Sequence, residues 1–442
     1  MNWHVHPTAT FAGTVAADLP GDKSISHRAA LFAALAHGQS RIANFQVSGV
    51  TRPLLDALRA LGIPWELDGT QLTVHGRGLN GWRSPTAPLD CGSSATTLRL
   101  LTGAAAAVGA AVTLDGSPGL RARPMARVTA PLRALGVPLT AAPGERAPLT
   151  LAARPADQPL GGLDWTLPVA SAQVKSAILL AGLAAEAPVT VTEPGPSRDH
   201  TERLLAAMGA AIQRDPLPGD GWRTTLQPGA SLRPLTLTIP GDFSAAAFLI
   251  VAALIVPGAT LRLEGVGLNP TRTGLLDVLL AMGADLTVTP GGDLSGEPVG
   301  TVTARASRLH GTTIAGTTVV RMIDEFPILA VAAAYATGET VVRDAAELRL
   351  KESDRIDILA GELHHLGVAM RTSPDGFTLR GGPVGGGTVA AHGDHRLAMA
   401  LSVAGLAAQS PVCVQDAHLH AESFPRFPHA LRALGAVLTE TP

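Results

Sequence analysis

The sequence predicts an α/β protein of mixed, α+β character, made of two domains that each hold three βαβαββ-like units. Three observations carry that prediction. The chain repeats itself at half-length: Leu19-Pro20-Gly21-Asp22-Lys23-Ser24 lies over Ile239-Pro240-Gly241-Asp242-Phe243-Ser244, 220 residues further on. Helix starts recur every 70 to 81 residues, longer than the roughly 20 to 50 residue period of a solenoid. Of the 442 residues 46% are hydrophobic but only 3% aromatic, so the core has to be built from Ala, Leu and Val, as in helices laid on sheets.

The elements follow in order. After the first Pro-Gly-Asp come an Ala-rich helix stopped at Gly38, a strand around Ile42 and a helix carrying Leu54, Leu55, Leu58 and Leu61, closed by Gly62. A hairpin-like pair with Leu72 and Val74 follows the Gly69 turn. The second Pro-Gly-Asp opens the same series: a helix through Phe248 and Ala253 stopped at Pro257-Gly258, and a strand at Leu261 to Leu263. A helix with Leu275, Leu276 and Leu279 closes at Gly283, and Leu286 and Val288 form a strand before Gly291-Gly292. Four looser copies enter their helices at Gly92, Ser171, Met322 and Gly393. Pro-Gly pairs break regular structure, so the two Pro-Gly-Asp elements are the expected crossings between domains and serve as candidate hinges. Residues 21–240 then form an inserted domain, and 1–20 with 241–442 a discontinuous one that includes the N-terminal strand.

Lys and Arg number 34 against 36 Asp and Glu, a formal net charge of -2, with no basic arm or tail. Such a chain has no global field to gather nucleic acid or an anionic membrane. Cys91 and Cys413 are the only cysteines, which excludes a disulfide framework and cysteine-based zinc sites and suits a reducing compartment. Met1 to Asp18 carries no visible targeting signal, and the longest apolar run, Ala245 to Val256, is well short of the roughly 20 residues of a membrane span. The expectation is a soluble, cytoplasmic protein that engages neither nucleic acid nor membrane. The P-loop, dinucleotide and HExxH patterns are missing, so a metal or nicotinamide enzyme is disfavoured. The histidines, His27, His200 and His395 included, lack metal-ligand spacing and are expected to be structural or hydrogen-bonding.

Lysine occurs only at Lys23, Lys175 and Lys351, each at or near an expected helix start; every other cation is arginine. Lysine can exchange a proton where arginine cannot, so these positions mark where a proton or a compact charge is wanted. Polar clusters surround them: Gly21 to Arg28, Cys91 to Arg99, Arg121 to Met125, Ser171 to Gln173, Ser197 to His200, Lys351 to Arg355 and Gly393 to Arg396. Small or hydroxylic residues at a helix start expose free N–H groups, and a basic residue one turn on points to the same end; together they bind phosphate or carboxylate. Plain N-capping or surface ion pairing explains any single cluster equally well. Six such starts together would make a site for several anions in a neutral protein.

Six motifs closely resemble 5-enolpyruvylshikimate-3-phosphate synthases over about residues 15 to 435. They are Leu19 to Arg28, Arg123-Pro124-Met125, Ser171 to Ser176, Ser197 to Glu202, Lys351 to Arg355 and Gly393 to Arg396. The resemblance implies the two-domain enolpyruvyl transferase fold with its active site in the interdomain cleft. It implies transfer of the enolpyruvyl group of phosphoenolpyruvate to the 5-hydroxyl of shikimate 3-phosphate, with release of phosphate and without metal or organic cofactor. It also implies the two substrates as partners; a monomer is expected, and the crossings at Pro20-Gly21 and Pro240-Gly241, with cations in both halves that repel until anions bind, predict closure on ligand. Residues matching shikimate 3-phosphate ligands are Lys23, Ser24, Arg28, Ser171, Ala172, Gln173, Arg198, Asp324 and Lys351. Those matching phosphoenolpyruvate ligands are Lys23, Ala95, Arg123, Gln173, Arg355 and Arg396. Asp324 matches the base for the 5-hydroxyl, Glu352 the group that protonates the methylene carbon and later removes a proton, and Lys23 the group that serves the departing phosphate.

The chain departs from the family pattern at Ser93 and Ala95, where Asn and Gly are common, in Ser48 to Thr51, where many relatives carry an acidic pair, and at Glu422, before Ser423-Phe424-Pro425. Two other readings stand beside this one. UDP-N-acetylglucosamine enolpyruvyl transferase shares the fold but usually has a reactive Cys in the loop matching Gly116 to Arg123, where this chain has none. A non-catalytic anion-binding repeat protein has no need of both Asp324 and Glu352. The Ala95 methyl should crowd glyphosate, which is longer than phosphoenolpyruvate, and one methyl discriminates by about 10 to 200-fold. Ala95→Gly should therefore lower the glyphosate inhibition constant several-fold with a much smaller change in KM for phosphoenolpyruvate; parallel changes in both, or none, would refute the steric account.

Overall fold

The computed structural model describes residues 1–15, 19–155 and 157–441; the end of the Met1 to Asp18 segment lies outside the described residues. It resolves into two compact units, Met1–Pro20 with Pro240–Asp293 and Pro298–Pro442, and Gly21–Ile239 with Leu294–Glu297. Six four-stranded sheets are described, three in the main body of each unit, and all have the same order. A parallel pair occupies one edge, and the inner strand of that pair runs antiparallel to the third.

Three sheets borrow a strand from distant sequence. Thr236–Thr238 pairs with His37–Ala43, Ala12–Val15 with Thr260–Gly267, and Asn2–His6 is the third strand beside Val412–Gln415. The beginning of the chain therefore holds two sheets of its unit together, and the segment before Pro240 completes the first sheet of the other.

Each unit has its own aliphatic core. Helix Phe243–Ile255 is buried along its whole length, which explains its uninterrupted apolar sequence; no described helix is long and apolar enough to cross a membrane. In the other unit, helices Ala95–Val108 and Ala172–Ala181 pack backbone to backbone, because a Cβ at Gly103 would lie 2.3 Å from the Ala177 carbonyl oxygen. At the first crossing a Cβ on Gly21 would lie 1.8 Å from the Asn44 carbonyl oxygen, so only glycine fits.

Four expectations need correction. The first helix ends at Leu35, and Gly38 lies within the next strand at φ +120°. The strand with Leu286 and Val288 runs through Gly291-Gly292 to Leu294, and the chain reverses at Ser295 and Gly296, both at positive φ. The helix expected at Met322 begins at Phe326, where Pro327 supplies the preset φ of a first turn. Lys351 follows the short 3-10 turn Ala346–Leu350 rather than starting a helix.

Gly103→Ala should cost about 1–3 kcal/mol, as overpacking between close helices does, whereas exposed Gly361, mid-helix with open space around its Cα, should gain roughly 0.5–1 kcal/mol as Ala. Denaturant titration measures both. A neutral Gly103→Ala would mean that the two helices can move apart freely.

Candidate active site

In the unit containing Gly21–Ile239, three helix starts carry the polar residues. Asp22 caps helix Lys23–Leu35, its carboxylate accepting from the Ile25 N–H at 2.9 Å, which leaves Lys23 and Ser24 half-buried on the first turn. Arg28, one turn in, is 2% exposed. Its Nε donates to Thr201 Oγ1 at 2.8 Å, its Nη2 to Ser176 Oγ at 2.8 Å and its Nη1 to the Ser24 carbonyl at 3.0 Å. Burial foremost lowers its pKa to about 10, with the Glu202 carboxylate opposing. Arg198 donates to Ser24 Oγ at 3.3 Å, so Ser24, Arg28 and Arg198 form one group.

Parallel packing through Gly103 brings the next two helix starts together. Arg99 Nη1 donates to Gln173 Oε1 at 2.6 Å, and Gln173 Nε2 donates to Thr96 Oγ1 at 3.0 Å. The Gln173 amide is thus held at both ends. Ser94 caps its helix through the Thr97 N–H, Ala95 follows at 5% exposure, and Ser171 occupies the cap of Ala172–Ala181 without spending its hydroxyl on it. Arg123 is half-buried beyond the turn Pro118–Arg121, whose Arg121 clasps Asp115 and holds that carboxyl below its usual range.

Lys175 supplies a compact charge rather than a proton. It is fully buried, 2.7 Å from Glu193 and 2.7 Å from Glu202. Burial would lower its pKa, but the two carboxylates hold it above the usual value, so it stays a cation and offers no proton near neutrality. Removing one partner from such a buried cluster costs about 3–5 kcal/mol.

The other unit gathers Asp324, Lys351, Glu352, Arg355 and Arg396. Arg355 is 1% exposed and organises the group. Its Nε donates to Asp394 Oδ2 at 2.7 Å and its Nη2 to Glu352 Oε2 at 2.7 Å; Nη1 lies 3.7 Å from Asp324 and makes no hydrogen bond among the described residues. Asp324 also faces Arg396 at 3.5 Å and Lys351 at 4.0 Å. Burial opposes the charge of Arg355, but Asp394 and Glu352 raise its pKa well above normal. Burial pulls the Lys351 ammonium below its usual range, with Asp324 opposing and Arg355 reinforcing. Asp394 caps helix His395–Gly405 through the Arg396 N–H; burial alone would raise its pKa, but Arg355 keeps it low.

The expected residues therefore fall into two sets, one in each unit; hydrogen bonds link Ser24, Arg28 and Arg198 in the first, and ion pairs link Asp324, Lys351, Glu352, Arg355 and Arg396 in the second. Sequence reasoning missed the supports: Thr96 and Arg99 on Gln173, Ser176 and Thr201 on Arg28, and Asp394 on Arg355. Asp394 and Arg99 stood inside the polar clusters, and the i, i+4 offsets from the helix starts were the available signal. The six helix starts are also unequal. At Phe243–Ile255 the protein's own groups seal the start, Arg272 Nη2 pairing with Asp242 at 3.0 Å and donating to Ser244 at 2.8 Å, while Ser244 bonds to buried Glu325. The histidines act as expected: His27 contacts the Lys23 and Val50 carbonyls at 2.8 and 3.0 Å, His200 pairs with Glu297 at 2.7 Å, and buried His395 lies 3.7 Å from Glu422. Among the described residues no cluster of His, Cys, Asp and Glu has the arrangement of a metal site.

Comparison with known proteins identifies the class and then the family. The enolpyruvyl transferase NikO from Streptomyces tendae superposes with a TM-score of 0.78 over 100% of this chain and 98% of its own, at 22% identity, a likeness of fold alone. EPSP synthase from Acinetobacter baumannii superposes at 0.86 with 38% identity, over 99% of this chain and 100% of that one. The architecture is that of the two-domain enolpyruvyl transferases. Proteins named 3-phosphoshikimate 1-carboxyvinyltransferase from Alkalilimnicola ehrlichii and a Geobacter species are 45% and 46% identical; the alignments cover 99% and 97% of this chain and 97% and 98% of theirs. The profile of EPSP synthase (3-phosphoshikimate 1-carboxyvinyltransferase) matches residues 5–431, and the chain belongs to that family.

Burial foremost, with the Lys23 and Arg28 charges adding to it, lowers His27 to about 4, so the ring braces the Lys23 turn as a neutral group. Between about pH 4 and 6.5 the unfolded chain binds a proton here that the folded chain excludes, so stability falls as pH drops through that window. On going from pH 7.5 to 4.5, His27→Gln should lose roughly 2 to 3 kcal/mol less unfolding free energy than the parent. Equal losses would show that the ring takes its proton inside the fold.

Proposed function

We infer that this chain transfers the enolpyruvyl group of phosphoenolpyruvate to the 5-hydroxyl of shikimate 3-phosphate, yielding 5-enolpyruvylshikimate 3-phosphate and inorganic phosphate. Family membership supports the reaction. The observation that carries its assignment to residues is that, besides the capping carboxylate Asp394, two more carboxylates face one guanidinium: Glu352 at 2.7 Å and Asp324 at 3.7 Å from Arg355. A protein that only binds anions gains nothing from two carboxylates among its cations; an acid/base reaction requires them.

In this reading Lys23, Ser24, Arg28, Ser171, Ala172, Gln173, Arg198, Asp324 and Lys351 bind shikimate 3-phosphate, and Lys23, Ala95, Arg123, Gln173, Arg355 and Arg396 bind phosphoenolpyruvate. Both groups of residues serve one pair of substrates. Each substrate carries a phosphate and a carboxylate, and their charges offset the cation field of the site. Asp324 takes the proton of the 5-hydroxyl as its oxygen bonds to C2 of phosphoenolpyruvate, and the former double-bond electrons take the Glu352 proton at C3. In the second half Glu352 removes a proton from the new methyl group, the double bond re-forms, and the C2–O bond to phosphate breaks as Lys23 gives the leaving oxygen a proton; the proton that Asp324 took is released and Lys23 is reprotonated from solvent. Holding two like-charged molecules in register is itself a large part of the catalysis. The reaction needs one chain, acting as a monomer in the cytoplasm.

UDP-N-acetylglucosamine as acceptor is the competing reading. The loop Gly116 to Arg123 has no cysteine, and Cys91 is buried with its thiol pushed up to about 12, chiefly by burial.

Phosphate release from phosphoenolpyruvate should depend on shikimate 3-phosphate and not on UDP-N-acetylglucosamine. Glu352→Gln and Asp324→Asn should each lose on the order of 10² or more in kcat while still binding shikimate 3-phosphate. Near-normal turnover by either variant would remove that residue from the mechanism, and release driven by the nucleotide sugar would overturn the acceptor.

A further inference from the structure

Lys175 is the one lysine of three that the mechanism leaves unused, yet it lies directly behind the residues proposed to bind shikimate 3-phosphate. We propose that Lys175 is a positioning residue for that substrate, acting through Glu193 and Glu202 on Arg198 and Arg28; the inference rests on the function proposed above.

Two dipeptides meet back to back. Lys175-Ser176 and Thr201-Glu202 each contribute one ion and one hydroxyl: the ions pair at 2.7 Å, and the hydroxyls of Ser176 and Thr201, 2.6 Å apart, seat the Arg28 guanidinium at 2.8 Å each. The Lys175 ammonium also holds Glu193 at 2.7 Å, whose other oxygen accepts from Ser197 Oγ at 2.6 Å. Ser197 precedes Arg198, whose Nη1 reaches Ser24. One buried cation thus fixes the helix start at Ala172, the turn that carries Arg198 and the bed of Arg28.

The electrostatics act in the same direction. Glu202 is the largest charge contribution holding Arg28 protonated against burial. Its other cationic neighbour is Arg214, with Nε at 3.9 Å, and Arg214 is itself committed to Asp199 at 3.2 Å. Without the Lys175 ammonium, the carboxyl groups of Glu202 and Glu193 would stand beside Arg28 and the Ser197 turn with no shared partner, and the seats of Arg28 and Arg198 would loosen. Lys175 itself, fully buried, has no surface with which to touch a substrate.

The test uses the full chain with Lys175→Met, Lys175→Met with Glu202→Gln, and Ser197→Ala, reading kcat, both KM values, shikimate 3-phosphate binding by calorimetry and melting temperature. Lys175→Met should raise KM and the dissociation constant for shikimate 3-phosphate on the order of tenfold, the size of a modest buried charge coupling. KM for phosphoenolpyruvate should change far less, and Glu202→Gln in the same chain should recover most of the loss. Unchanged shikimate 3-phosphate constants would overturn the proposal. So would a parallel rise in both KM values that Glu202→Gln does not recover, because that is the mark of a merely structural defect. If Lys175→Met does not fold, Ser197→Ala decides: it leaves both ion pairs intact and should raise KM for shikimate 3-phosphate several-fold, with far less change in KM for phosphoenolpyruvate, in a chain that still melts cooperatively, and no rise would overturn the proposal. A parent chain that fails to bind shikimate 3-phosphate would bring down the proposed function as well, whereas equal binding by parent and Lys175→Met would bring down the positioning role alone.

Discussion

Everything at the candidate site depends on keeping guanidinium groups charged after they have been withdrawn from water. Arg28 and Arg355 are both essentially buried, and the protein supports them in opposite ways. Arg28 rests on two hydroxyls and a carbonyl, neutral acceptors that satisfy its N–H groups without cancelling its charge. Arg355 sits among Asp394, Glu352 and Asp324, which together more than compensate it. A cation held by neutral partners keeps its attraction for an anion, whereas a cation surrounded by carboxylates orders them in space. The first arrangement suits binding, and the second holds Glu352 and Asp324 in fixed places beside the cations of their group.

The internal duplication gives the chain two unlike copies of one helix start, a polar one and a silent one. Helices Lys23–Leu35 and Phe243–Ile255 share the Pro-Gly-Asp entry and an Asp cap that accepts from the first turn. Register then places Phe243 where Lys23 stands and Phe248 where Arg28 stands. The silent copy keeps Ser244, but its hydroxyl is bonded to Glu325 and Arg272, so the helix start is filled by the protein itself. Residues that make the turn persist in both copies, whereas Lys23 and Arg28, which would meet a ligand, have Phe243 and Phe248 as their counterparts.

The duplication and the helix starts are legible in the sequence because capping and chain reversal are local: Asp22, Ser94, Ser171, Asp242 and Asp394 all stand at the caps of observed helices. Glycine is locally ambiguous. Gly38 and Gly291-Gly292 have the sequence character of stops, yet both lie inside strands, where pairing with a neighbouring strand overrides the preference of the residue itself. Lys175 is ambiguous for a different reason. Its composition signal, a rare lysine at a helix start, is the same as that of Lys23, and only the arrival of Glu193 and Glu202 from later in the chain makes it a buried ion. Partners across sequence separations such as Arg28 to Thr201 or Arg355 to Asp394 are tertiary facts that no local pattern reveals.

The central chemical claim is that the bond broken in phosphoenolpyruvate is the carbon–oxygen bond, because the enolpyruvyl carbon moves to a new oxygen and phosphate leaves whole. Labelling the bridging oxygen of phosphoenolpyruvate with oxygen-18 tests that claim directly. In the presence of shikimate 3-phosphate the label should appear in the released inorganic phosphate, seen by mass spectrometry or by its phosphorus NMR isotope shift, and the three-carbon unit should appear on the acceptor. Label retained in free pyruvate, with unlabelled phosphate, would mean cleavage at phosphorus and would contradict the account.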